Sequence, residues 1–156
     1  MKTKNLTYAA MIAALYVILT FISRIFGLDS GAIQVRFSES LCILPVITGA
    51  AVPGLFAGCL LSNIFMGAPV WDVIFGSLAT LLGAIFTRKL CAHPILATIP
   101  PILSNMIIIP LVLHFAYGIP GGIPYFMLTV GLGEVVSCGI FGLILYSVLK
   151  KHPIFK

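Results

Sequence analysis

Charge is what this sequence has least of. Asp, Glu, Lys and Arg make up 8% of 156 residues, against about 25% in a soluble domain. So few charges cannot wet the surface of a small globule, which excludes a soluble enzyme, a disordered chain and a nucleic-acid-binding domain. Only four acids occur: Asp29, Glu39, Asp72 and Glu134. The surplus of nine Lys and Arg residues therefore reads as membrane orientation rather than as a phosphate-binding face.

Signatures of chemistry are missing too. There is no G-x-x-x-x-G-K-[ST] loop, no H-E-x-x-H and no G-x-S-x-G, so ATP hydrolysis, zinc proteolysis and serine hydrolysis by those routes are excluded. No C-x-x-C pair occurs. Cys42, Cys59, Cys91 and Cys138 each lie within or at the end of an apolar run, as small buried thiols do. No catalytic residue, metal ligand or cofactor is expected, and the chain is not expected to be an enzyme. Nor does an ionisable residue mark the inner half of the apolar core, where a proton-driven carrier would carry one. Uphill transport would need an outside energy source.

What the chain does have is apolar length. It is 60% hydrophobic with a mean hydropathy of +1.17, and a helix crosses the hydrocarbon core with about 20 such residues. The expectation is an all-α membrane protein, one integral domain over residues 1–156, with six transmembrane helices. These fall at about 6–26, 39–50, 54–66, 71–86, 95–117 and 124–149. The first run begins like a signal peptide but has no clean cleavage site, so it is expected to stay as a helix. Residues 40–68 run apolar for too long to be one span, and Pro45, Gly49, Pro53 and Gly54 interrupt them. A tight turn is expected at Val52-Pro53-Gly54, since proline kinks or ends a helix. The loop 118–123, Gly-Ile-Pro-Gly-Gly-Ile, is turn chemistry throughout.

Charge fixes the parity. With six spans and both termini cytoplasmic, the inside holds Lys2, Lys4, Arg88, Lys89, Lys150, Lys151 and Lys156, and the outside only Arg24 and Arg36. Five spans would divide the basic clusters between the two sides, against the positive-inside rule. The same topology puts Asp29, Glu39 and Asp72 near the outer surface. Glu134 lies about 15 Å down the sixth helix at 1.5 Å per residue. The acids gather in the outer half, where a pocket open to the outside would sit.

Each candidate has a functional and an ordinary reading. Glu134 either anchors a ligand or locks two helices, because a carboxyl at that depth needs a partner. Asn63 and Asn105 either meet a heterocycle edge or bridge helices. Trp71 and Asp72 either line a pocket or serve as interface anchor and helix-start acid. Within Arg36-Phe37-Ser38-Glu39, Ser38 is the expected N-cap, with Arg36 pairing with Glu39; alternatively this cluster is one wall of the pocket, with Phe37 a stacking surface. Small residues four apart, Ala9/Ala13, Ala10/Ala14 and Gly54/Gly58, suit close helix approach, within the bundle or against a partner.

Those residues carry a resemblance. Gln34-Val35-Arg36-Phe37-Ser38-Glu39, Leu44-Pro45, Pro53-Gly54-Leu55, Gly58-Cys59, Asn63 and the run from Trp71-Asp72-Val73 to Leu81 resemble the QueT family. These are the substrate-binding S components of energy-coupling factor (ECF) transporters assigned to queuosine precursors. The resemblance implies a multi-pass protein of the bacterial plasma membrane that captures a 7-deazaguanine (queuine, preQ0 or preQ1) from outside. It implies a transmembrane coupling protein (EcfT-like) and two ATPase subunits as partners, and no nucleic acid. It also places a coupling-protein contact on Ala9 and Ala13, with Ala10 and Ala14 beside them. A carboxylate accepts the paired N–H donors of a guanine-like edge, so Glu134 or Glu39 would read it. Asn63 or Asn105 would meet the ring carbonyl, Trp71 or Phe37 would stack, and Asp72 would meet an aminomethyl cation. An S component for another vitamin or purine-like solute, or a stand-alone carrier, is the alternative.

Overall fold

The computed structural model describes residues 3–28, 33–116, 118 and 120–151. Lys2, Asp29, Tyr117 and Lys156 lie outside the described residues. Among those described, six helical rods follow one another: α1 (Thr3–Ile25), α2 (Phe37–Val46), α3 (Ala51–Phe65), α4 (residues 72–89), α5 (Leu96–Phe115) and α6 (Ile123–Leu149). No strand occurs among them. Three rods, α1, α5 and α6, are long and apolar enough to cross a membrane. Large apolar side chains such as Leu6, Met11, Ile18, Ile107 and Ile144 stand exposed on their outer faces, as lipid-facing side chains do.

Side-chain contacts give the helix directions. Gly54 packs on Ala9 and Gly58 on Ala13, so register rises together along α1 and α3 and the two run parallel. Arg24 at the end of α1 donates to the Met66 carbonyl just past α3, at 3.2 Å. The α2 segment must therefore return across the bundle between them. Gly83 meets Pro101, and Thr87 donates to the Ala97 carbonyl at 2.8 Å, which makes α4 and α5 antiparallel. Asn105 meets Glu134 and Met106 meets Gly131, so α5 and α6 are antiparallel as well. The six rods alternate in direction. Lys4, Arg88, Lys89, Lys150 and Lys151 then share one end of the bundle, with Arg24 and Arg36 at the other.

The short rod α2 occupies the centre, packed on α1, α3, α4 and α6. Ser38, Glu39, Leu41, Cys42, Ile43, Leu44 and Pro45 are all buried. It is wound as a 3-10 helix, whose rise of about 2.0 Å per residue carries ten residues about 20 Å, where an α-helix would cover about 15 Å. A short segment thus reaches further through the bundle. At its far end Arg88 of α4 donates to the carbonyls of Pro45 (2.9 Å) and Val46 (3.3 Å), groups that a helix end leaves unpaired.

Two local expectations need correction. The turn falls at Ile47–Ala50, and Pro53 stands in the first turn of α3, where its missing N–H has no helical partner to lose. Ser38 is not the N-cap: Arg36 holds that position without a side-chain bond. The first N–H groups of α2 are instead met from neighbouring helices, Arg36 N–H by Ser137 Oγ at 3.1 Å and Phe37 N–H by Ser23 Oγ at 2.8 Å.

The α1–α3 seam depends on small residues. A Cβ on Gly58 would lie 2.7 Å from Tyr16 Cβ and 3.1 Å from the Ala13 backbone. Gly58→Ala is expected to cost about 1–3 kcal/mol through overpacking, read as a lower melting temperature of the purified protein. Ala14→Val, on the exposed face of α1, is expected to stay within about 0.5 kcal/mol of the parent.

Candidate functional site: a carboxylate-lined hollow at the head of α2

Residues 34–36 lead into the head of α2, and the polar side chains of the run 34–39 meet those of α3 to α6. Between them lies a hollow of about 40 Å³ lined by Gln34, Arg36, Glu39, Cys59, Gly76, Thr80, Asn105, Ile109, Val130 and Glu134. One water needs about 10–15 Å³ on this measure, so the hollow has room for about three. Two larger depressions of about 690 and 720 Å³ open on the outer α4–α5 face and share Leu82 and Ile108. Their linings are almost wholly apolar. They are grooves facing lipid, with little to orient a polar ligand.

The two glutamates differ in how their oxygens are used. Glu39 is 3% exposed; its Oε1 accepts a short bond from the Tyr16 hydroxyl, and its Oε2 accepts one from Cys42 Sγ at 3.0 Å. Both of its oxygens are therefore already occupied by neighbouring side chains. Glu134 accepts from Asn105 Nδ2 at 3.0 Å through Oε1, while its buried Oε2 has no partner among the described residues. A buried acceptor without a donor costs about 1–3 kcal/mol. This oxygen belongs to one of the side chains lining the hollow.

Helix irregularities set the lining. The chain is π-helical over Asp72–Gly76 and Val135–Phe141, and such bulges are frequent at functional sites. The first ends at Gly76, which lines the hollow with Thr80 one turn on. The second begins directly after Glu134 and buries Ser137 and Cys138. Above them, the Gln34 carbonyl would lie 2.1 Å from a Cβ on Gly133. Only a glycine lets residues 33–36 lie this close on α6 and roof the hollow.

Of the residues singled out in the sequence, Arg36, Glu39, Asn105 and Glu134 converge here. The others do not. Asn63 Nδ2 donates to the Asp72 carbonyl at 3.2 Å and contacts Cys59 Sγ at 3.6 Å, tying α3 to the start of α4. Asp72 is half-buried outside the lining. Trp71 stacks on Phe75, centroids 6.0 Å apart, over the lipid-facing groove. Phe37 packs on Phe141 at 5.8 Å. Ala9 and Ala13 are turned into α3, whereas Ala10 and Ala14 face outward.

A family model described as QueT transporter matches residues 6–151. The chain belongs to the QueT transporter family. It is an all-α, multi-pass bacterial membrane protein. Among curated relatives, it is 37% identical over 81 residues to "Queuosine precursor transporter QueT" of Lactococcus lactis subsp. cremoris (strain MG1363). That match takes in 52% of this chain and 47% of the relative, so the chain spans about half the length of the curated relative. No solved structure matches significantly.

Sequence reasoning passed over Gln34, Cys59, Gly76 and Thr80 as lining residues. The spacing of four that puts Gly76 and Thr80 on one face was a usable signal for that pair. Nothing local marked Cys59, whose thiol reads like any packed one.

Removing the phenol donor is expected to expose the cost of the buried Glu39 carboxylate. Tyr16→Phe should lower stability by about 1–3 kcal/mol, measured as a fall in melting temperature in detergent. Cys42→Ala, which removes the weaker thiol donor, should cost less.

Proposed function

We propose that this QueT family protein is the substrate-capturing S component of an ATP-driven ECF-type importer and that it binds a queuosine precursor. The precursor class is a 7-deazaguanine: queuine, preQ0 or preQ1. The relative's name supplies the substrate class, and the unpartnered Glu134 Oε2 beside the hollow carries the site assignment. A guanine-like edge presents an N–H and an amino group side by side. The Glu134 carboxylate is suited to accept both, held in position by Asn105. Glu39 is the poorer candidate, because Tyr16 and Cys42 already use its two oxygens. Arg36 supplies positive charge and donors that suit the ring carbonyl.

The hollow of about 40 Å³ is far below the roughly 300 Å³ at which small-molecule pockets begin. Ligand entry on this reading requires residues 33–36 to move off Gly133 and α6. The charge asymmetry supports a roof on the outer side and both termini in the cytoplasm. Energy comes from a coupling protein (EcfT-like) and two ATPases, which fits the lack of a nucleotide-binding loop in this chain. The outward Ala10 and Ala14 offer the closer approach to such a partner, Ala9 and Ala13 being occupied by α3. The protein carries a solute and alters no bond in it.

Calorimetry on the purified protein with queuine, preQ0, preQ1, guanine and riboflavin tests the substrate class. Binding of at least one deazaguanine and none of riboflavin is expected; heat from riboflavin alone would assign a different solute. Glu134→Gln should weaken the bound deazaguanine about 10- to 100-fold, the worth of a hydrogen bond to a charged group. Uptake into vesicles should require the ATPase partners, and uptake by this chain alone would mark a stand-alone carrier.

A further inference from the structure

The seam between α4 and α5 is grooved along its lipid-facing side. Residues 72–89 give α4 a length of about 27 Å at 1.5 Å per residue, close to the hydrocarbon thickness of about 30 Å. The two depressions on this seam meet at Leu82 and Ile108, near the middle of the two helices, so each faces one leaflet. They are nearly equal in volume, about 690 and 720 Å³, and both are lined by aliphatic and aromatic side chains. Their mouths differ.

One depression opens beside Trp71, Phe115 and Ala116, and the residue after Trp71 is an acid, Asp72. The other opens at the basic end of the bundle, beside Lys89, Leu90 and Leu96. Lys89 is the one charged residue among its described lining. The ammonium stands over the Phe86 ring, 5.1 Å from the centroid, and Phe86 lines the same depression. A ring face attracts a cation, which keeps this charge at the mouth of the groove. No acid stands near it among the described residues: Glu39, Asp72 and Glu134 occupy the head of α2, the start of α4 and the middle of α6. The neighbouring Arg88 is engaged by the Pro45 and Val46 carbonyls. The cation at the mouth is thus Lys89, and its counter-charge has to come from outside the bundle.

We infer that this depression is a binding site for an anionic phospholipid of the leaflet at the basic end, with acyl chain along Leu82, Leu103 and Ile107 and phosphate on the Lys89 ammonium. The inference is independent of the hollow and its ligand. The apolar lining accepts the chains of any phospholipid, so the ammonium is what discriminates. A zwitterionic headgroup brings its own cation, which offsets the phosphate; an anionic one does not. One basic residue near the membrane surface is worth about fivefold in attraction to an anionic lipid. The other depression has no cation in its described lining and no such preference.

The test is native mass spectrometry of the full chain in detergent, with phosphatidylglycerol and phosphatidylcholine of identical acyl chains added in equal amounts. Wild type should retain phosphatidylglycerol about fivefold over phosphatidylcholine. Lys89→Gln should bring the ratio to about one, whereas Lys150→Gln, at the same end but on α6, should leave it unchanged. Leu103→Trp, which fills the depression, should lower phosphatidylglycerol retention; Leu111→Trp, which fills the other one, should not. All four side chains are exposed, so the substitutions spare the core. Equal retention of the two lipids by wild type overturns the inference. Equal loss of preference in Lys89→Gln and Lys150→Gln also overturns it, since a diffuse basic surface would then suffice. So does displacement of the lipid by glycerol phosphate at the same concentration, because no acyl chain would then be needed. Should Leu103→Trp fail to fold, Lys89→Gln against Lys150→Gln decides.

Discussion

The Glu39 carboxylate, buried at the head of α2 with a phenol on one oxygen and a thiol on the other, is the constraint on which that end of the bundle turns. Lipid offers no hydrogen bonds, so each polar group within the membrane has to be met by the protein. Tyr16 meets Glu39 from α1, and Ser23 and Ser137 meet the exposed N–H groups of α2 from α1 and α6. These bonds fix the short central rod against its neighbours at one end. Arg88 fixes it at the other, where the last carbonyls of α2 would otherwise stay unpaired.

With α2 held at both ends, the polar groups beside its head have fixed neighbours. Glu134 is anchored by Asn105 through a single oxygen, and its second oxygen is left with space rather than a donor. The contrast between two glutamates in one small volume separates a structural carboxylate from one with capacity to spare. The π-helical turns in α4 and α6 contribute to the same end. They interrupt regular hydrogen bonding beside the hollow, where residues 33–36 roof it over Gly133.

Much of the fold was legible in one dimension. Apolar runs of about 20 residues report spans because the bilayer has a set thickness, and the clustered Lys and Arg residues report parity. The parallel packing of α1 on α3 requires the chain to return across the bundle through α2. Local detail was less legible. Over ten apolar residues a 3-10 helix and an α-helix differ little in pattern, so α2 was read as an ordinary helix. Pro53 looked like a turn because proline breaks a helix interior, yet it is welcome in a first turn. Ser38 looked like a cap because the sequence cannot reveal serines from other helices standing where the cap is needed.

The sequence by itself determined that this chain lives in lipid and that its basic residues fall in clusters between apolar runs. Those properties follow from composition and from the order of charges along the chain. Only the tertiary structure decided which carboxylate is spent and which is spare. It also turned Trp71, Phe37 and Asn63 away from the hollow and spent Ala9 and Ala13 inside the bundle. The reason is geometric: partners such as Tyr16 and Glu39, or Asn105 and Glu134, lie more than twenty residues apart, and only helix packing brings them within a hydrogen bond's reach.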